Sequence, residues 1–93
     1  MITSIVTIKC EPGAVKKVAE KLAGFDSVAE VYSVTGEWDI FAVIRVKQFD
    51  SLSDVVSEQI ASTPGIIKTV TSMAFRCYSK HDMEKMWAQY IGE

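Results

Sequence analysis

The chain has 93 residues, 48% of them hydrophobic, and a net charge of −2 with its Lys and Arg scattered rather than grouped. Without a basic block to track phosphates it is not expected to bind nucleic acid by itself, and its longest apolar run falls far short of the roughly 18–20 residues that span a bilayer. A domain this small buries only about 60–65% of its unfolded surface, so this much apolar side chain points to self-association.

Met1-Ile2-Thr3-Ser4 carries no basic n-region or cleavage signal, so a cytoplasmic protein is expected. In that reducing setting Cys10 and Cys77 are expected to be free thiols.

Residues 2–10 alternate around Thr, Val and Ile, with Ile2, Ser4, Val6 and Ile8 on one face and Thr3, Ile5, Thr7 and Lys9 on the other, which predicts a strand. Glu11-Pro12-Gly13 breaks it, and Pro12 suits the first turn of a helix, where its missing N–H costs nothing. Val15, Val18, Ala19 and Leu22 then recur at helical spacing, with Lys16, Lys17, Glu20 and Lys21 largely opposite, and Gly24 is expected to end this helix as a left-handed cap.

A second strand is predicted over 28–35, with Val28, Glu30, Tyr32 and Val34 on one face and Ala29, Val31 and Ser33 on the other. Gly36-Glu37 turns the chain into a third strand over 39–46, whose nearly continuous apolar run suits a strand covered on both faces. Asp50-Ser51 opens a second helix, with Ser51 and Asp54 resembling a capping box and Leu52, Val55, Val56, Gln59 and Ile60 facing inward. Thr63-Pro64-Gly65 ends it, and a fourth strand is predicted over 66–78. Ile67, Thr69, Thr71, Met73, Phe75 and Cys77 line one of its faces.

The order βαββαβ is the split βαβ arrangement of ferredoxin-like α+β domains. Right-handed crossovers place both helices on one face of a four-stranded antiparallel sheet, strand order 4-1-3-2. The other face has no cover within residues 1–78, so a second subunit is expected to supply it. In this topology Cys10 and Cys77 lie at opposite ends of the sheet, roughly 20 Å apart at about 3.3 Å per residue, beyond the ~7 Å Cα separation a disulfide allows. Beyond the domain over 1–78, residues 79–93 are predicted as an extra C-terminal amphipathic helix, with Met83, Met86, Trp87 and Tyr90 on one stripe.

Catalytic equipment is sparse. His81 stands in the tail with no Cys or His at metal-ligand spacing, and no Gly-rich phosphate loop is present. Neither a metal nor another cofactor is expected, and Cys10 has no neighbouring signal for a nucleophile.

Two segments carry more. In Thr35-Gly36-Glu37-Trp38-Asp39 the glycine answers to a hairpin turn, and Trp38 is a core or interface anchor. Asp39 is an acid at the start of a buried strand, which either caps turn N–H groups or receives a ligand ammonium. In Pro64-Gly65-Ile66-Ile67-Lys68-Thr69-Val70-Thr71 two threonines share a face with Ile67 and Met73, where hydroxyls either pair with threonine across the strand or wait for a ligand.

Gly-x-aromatic-Asp (Gly36, Trp38, Asp39) and Pro-Gly-Ile-x-x-Thr-x-Thr (Pro64, Gly65, Ile66, Thr69, Thr71) at this spacing resemble the effector, or RAM, domain of the Lrp/AsnC feast/famine transcription regulators, over residues 2–78. The resemblance implies dimers formed through the sheets and assembled into rings, commonly octamers, with a small amino-acid effector bound between dimers. It implies an effector site at Thr35, Gly36, Glu37, Trp38 and Asp39, with Thr69 and Thr71. The family's N-terminal helix-turn-helix is not in this sequence, so no direct nucleic-acid contact is expected, and the short apolar runs give no expectation of a membrane contact. Regulation would run through assembly with itself or with full-length Lrp/AsnC regulators. The competing class is a small dimeric α+β barrel enzyme such as a cofactor-less monooxygenase, which has the same topology but needs a polar-lined cavity, usually with His, Tyr or Trp around it. A purely structural oligomerisation module is the third.

Overall fold

A computed structural model describes residues 1–80. The predicted helix over 79–93 therefore lies outside the described residues apart from Ser79 and Lys80, and so does His81.

Strands β1 (Ile2–Cys10), β2 (Val28–Ser33), β3 (Ile40–Val46) and β4 (Ile66–Met73) form one sheet in the order β2-β3-β1-β4, with every pairing antiparallel. Helix α1 (Val15–Ala23) joins β1 to β2, and α2 (Phe49–Asp54) runs directly into a π-helical segment, Val55–Ile60, before β4. This is the α+β architecture expected from the order of elements. Among the described residues no helix is long and apolar enough to cross a membrane.

The register explains the core. Val6 lies opposite Ala42 and Ile8 opposite Ile40, so these side chains share one sheet face. That face packs on Val18 and Leu22 of α1 and on Leu52, Val55 and Ile60, with Val6, Ile8, Ile40, Ala42 and Ile44 fully buried. Burying each large aliphatic side chain stabilises the fold by about 1.5–3 kcal/mol. Ser4 is buried among them, and its hydroxyl donates to the Ser72 carbonyl at 2.9 Å, which answers its desolvation.

Several local expectations are corrected. Pro12 does not enter a helix. The Ala14 N–H donates to the Glu11 carbonyl at 3.0 Å around Pro12 and Gly13, whose φ of +81° makes this a type II turn. Gly24 is right-handed at φ −82°, because α1 unwinds through tight turns in which the Gly24 and Phe25 N–H groups donate to the Lys21 and Leu22 carbonyls. The Ser51/Asp54 capping box does not form. Gln48 is the last extended residue, so the helix begins at Phe49 and Ser51 is already inside it.

In the π-helical segment the Ala61 N–H reaches back five residues to the Val56 carbonyl. That winding stacks Ile60 over Val55 and leaves Gln59 exposed instead of inward. A bulge between Val28 and Glu30 sends Val28 and Val31 to the helix side, where they meet Ile44 and Ala42, so Val28 does not share a face with Glu30 and Tyr32. A second bulge, at Lys9/Cys10, turns Ile66 inward opposite Cys10 and leaves Ile67 exposed. Finally, β4 stops at Met73 rather than at residue 78. Met73 lies opposite Ser4, and one further bond runs from the Ala74 N–H to the Thr3 carbonyl.

Both described cysteines are free, Cys10 buried and Cys77 exposed, at opposite ends of the sheet as the topology requires.

Candidate functional site

The turn between β2 and β3 is built by three hydrogen bonds. The Val34 N–H donates to the Asp39 carbonyl and the Asp39 N–H to the Ile8 carbonyl, each at 2.9 Å. Between them the chain reverses through Gly36, whose φ of +108° is a conformation other residues rarely adopt.

The third bond concerns Asp39. The β1–β3 ladder ends at Ile8 and Ile40, leaving the next β1 donor on that side, the Cys10 N–H, without a backbone acceptor. The Asp39 carboxylate takes it, Oδ2 accepting from Cys10 at 2.7 Å. The capping role is therefore filled, and through a neighbouring strand rather than within the turn. Asp39 Oδ1 has no partner among the described residues. The Cys10 thiol beneath is pushed above its usual pKa by burial and then by the negative charge of Asp39, which keeps it a thiol and not a thiolate nucleophile.

Two lysines converge on the same turn. Lys9 and Lys68 lie directly opposite each other on β1 and β4. The Lys9 ammonium donates to the Glu37 carbonyl at 3.0 Å, and the Lys68 Nζ stands 5.8 Å from the centre of the Trp38 ring, in cation–π range. Neither has a carboxylate partner among the described residues, where Glu30–Arg45 is the single ion pair, at 3.8 Å. Thr35, Gly36 and Glu37 are exposed, while Trp38 and Asp39 are half-buried.

Thr69 and Thr71 do not join this group within one chain. Their partners are Ile8 and Val6, which puts both on the helix-covered face and rules out Thr–Thr pairing. Thr71 instead lines an open groove of about 290 Å³ between α2 and β4, with Phe49, Leu52, Ser53, Val56, Ser57 and Met73. Sequence reasoning missed Lys9, Lys68 and the Cys10 N–H. Their signal was the strand order, which already placed Lys9 and Lys68 on adjacent strands at the end of the sheet that the turn covers. Among the described residues no group of three or more His, Cys, Asp or Glu could hold a metal.

An α+β sheet with one covered face serves effector-binding domains, small enzymes and oligomerisation modules alike, so the class of this chain rests on its relatives. The chain matches the Lrp/AsnC ligand binding domain over residues 3–83, and it belongs to that family. An uncharacterised HTH-type transcriptional regulator of Pyrococcus horikoshii is 38% identical over 72 residues, which are 77% of this chain and 46% of the relative. The chain thus spans about half the length of the curated relatives it matches. A solved structure of a Thermus thermophilus protein is 42% identical, with a TM-score of 0.80 over 86% of this chain and 100% of that one. A transcriptional regulator of Neisseria meningitidis, solved as its L-Met complex, shares the fold with a TM-score of 0.75 at 14% identity, over 84% of this chain and 52% of that one.

Proposed function

We propose that this chain is a cytoplasmic effector-binding and oligomerisation module of transcription regulation, not an enzyme, and that its effector is a free amino acid. The observation that carries this reading is the Gly36–Asp39 turn. Its glycine leaves backbone N–H groups approachable by a carboxylate, Asp39 keeps Oδ1 for an ammonium, and Trp38 walls the site. The L-Met complex of the Neisseria regulator supports an amino acid as the ligand class.

The open sheet face supplies the assembly. Ile5, Tyr32, Phe41 and Val70 stay 38–50% exposed on it, and a second copy would cover them. Dimers would then join into a ring, commonly an octamer in this family, in which Thr69 and Thr71 of a neighbouring copy complete the shell around the turn. Coupling to DNA would run through assembly with full-length Lrp/AsnC regulators. A thermal-shift screen of the twenty amino acids, with molecular mass measured on the same samples, tests this. One or a few amino acids should raise the melting temperature and alter the assembly. Twenty silent amino acids would remove the function.

A further inference from the structure

We infer that the effector of this chain is acidic, of the L-glutamate and L-aspartate class, and that Lys9 and Lys68 hold its side-chain carboxylate. The inference rests on the effector reading above and sharpens it.

Its starting point is an electrostatic cost. Like charges directly opposite each other on adjacent strands destabilise a sheet, yet Lys9 and Lys68 occupy one cross-strand pair, on the open face. Both lean over the same two residues of the turn, one bonded to the Glu37 carbonyl and the other over the Trp38 ring. The acids nearby do not neutralise them. Asp39 gives Oδ2 to the Cys10 N–H, and neither Asp39 nor Glu37 forms an ion pair with either lysine among the described residues.

The groups at the turn can then be matched to a ligand. Gly36 backbone donors suit an α-carboxylate and Asp39 Oδ1 suits an α-ammonium, which accounts for the part common to every amino acid. Two cations remain, and a second carboxylate is the group that uses them. Lys68 also covers a face of Trp38, the surface an apolar side chain would otherwise stack on. A neutral aliphatic effector would gain no contact with the lysines and would have to displace one of them.

The test is calorimetric titration of the intact protein with L-glutamate and L-glutamine, which differ little in shape but by one charge, and with L-aspartate and L-leucine. The acidic members should bind at least about tenfold more tightly than L-glutamine and L-leucine, and the preference should shrink as salt is raised. In the Lys9→Gln/Lys68→Gln double variant, whose folding is checked by melting temperature, L-glutamate should fall to within about twofold of L-glutamine. Equal binding of L-glutamate and L-glutamine to the wild type would overturn the inference and leave the amino-acid reading standing. So would a preference that survives in the double variant. If none of the twenty amino acids binds, the amino-acid reading fails and this inference falls with it.

Discussion

The two faces of one sheet are made of similar residues and meet different fates. Along β1, Val6 and Ile8 are fully buried under the helices, while Ile5 beside them is 39% exposed. On β3, Ile40 and Phe41 are sequence neighbours, one at 0% and one at 38%. Hydrophobicity does not separate them; the helices cover one face and nothing among the described residues covers the other. The open face is also organised, with aliphatic and aromatic side chains in the middle, the Glu30–Arg45 pair with Tyr32 bonded to Glu30 on one side, and Lys9 with Lys68 at one end. Protein interfaces share this arrangement of an apolar centre with a polar rim, so the open face is where the proposed assembly is tested.

The comparison breaks first at Ile40 and Phe41. Ile40→Ala should cost about 2–5 kcal/mol of folding stability, the range for emptying a packed aliphatic site. Phe41→Ala removes a larger side chain, but its effect should appear in assembly. Its melting temperature should depend on protein concentration more steeply than the wild type's, and its mass by light scattering should drop. Equal, concentration-independent losses for the two variants would mean that the open face is covered from within the chain and not by another copy.

The end of the sheet offers a sharper test, because there one residue serves both fold and site. Asp39→Ala should lower folding stability by about 1–3 kcal/mol, the cost of stranding a half-buried donor, here the Cys10 N–H. Asp39→Asn keeps an acceptor and should recover most of that loss while removing the negative charge offered to an ammonium. Chemical denaturation of both variants, set beside amino-acid titration, separates the two roles. If Asp39→Ala folds as stably as the wild type, the bond to Cys10 contributes nothing and the carboxylate is there for a ligand alone.

Gly65 gives a smaller effect on the covered side. Its φ is +95°, and a Cβ there would lie 3.0 Å from the Ala14 Cβ and 3.1 Å from Val18 Cγ2, so α1 sits directly on this turn. Gly65→Ala should cost about 1–2 kcal/mol through strain and displacement of α1. Gly36, with a φ of +108° but open space around its missing Cβ, should lose only the conformational part in the corresponding variant. The difference between the two alanine variants, read from denaturation midpoints, isolates the contact with α1.

The alternation of β1 and β3 was legible because each strand keeps a period of two against a single core, and strand order followed from the handedness of the crossovers. The bulges at Val28/Glu30 and Lys9/Cys10 were not, since one extra residue reverses a face without altering composition. The π-helical segment escaped for the same reason, as Val55, Val56, Gln59 and Ile60 fit a spacing of 3.6 and only the hydrogen bonding reveals the wider winding. At the site, the motif residues of the turn were readable from the chain. What they touch was not, because Asp39 with Cys10 and Lys68 with Trp38 are contacts across 29 or more positions of sequence. Thr69 and Thr71 showed the reverse limit, recognisable as a motif but on the helix-covered face of the sheet, away from the turn they were grouped with.

The smallest expected effect separates the two cysteines, one on each side of the same comparison. Cys10 is buried beside Asp39, and both burial and that charge raise its thiol pKa; Cys77 is exposed beyond the end of β4. In the unfolded chain a cysteine ionises near pH 8.5 or so. Above that pH the unfolded state has lost a proton that folded Cys10 still holds, so the unfolded state binds fewer protons and stability falls as pH rises. The contribution is whole below the unfolded value and is lost between it and the raised folded value. Cys10→Ala should therefore show a shallower decline of denaturation free energy across the mildly alkaline range than the wild type. A thiol reagent at about pH 8, just below that ionisation, should label Cys77 at once and Cys10 only as fast as the domain opens. Simultaneous labelling of both would mean that the β1–β4 end opens freely in the folded protein, and the bond from Cys10 to Asp39 could not then be the element that holds the turn.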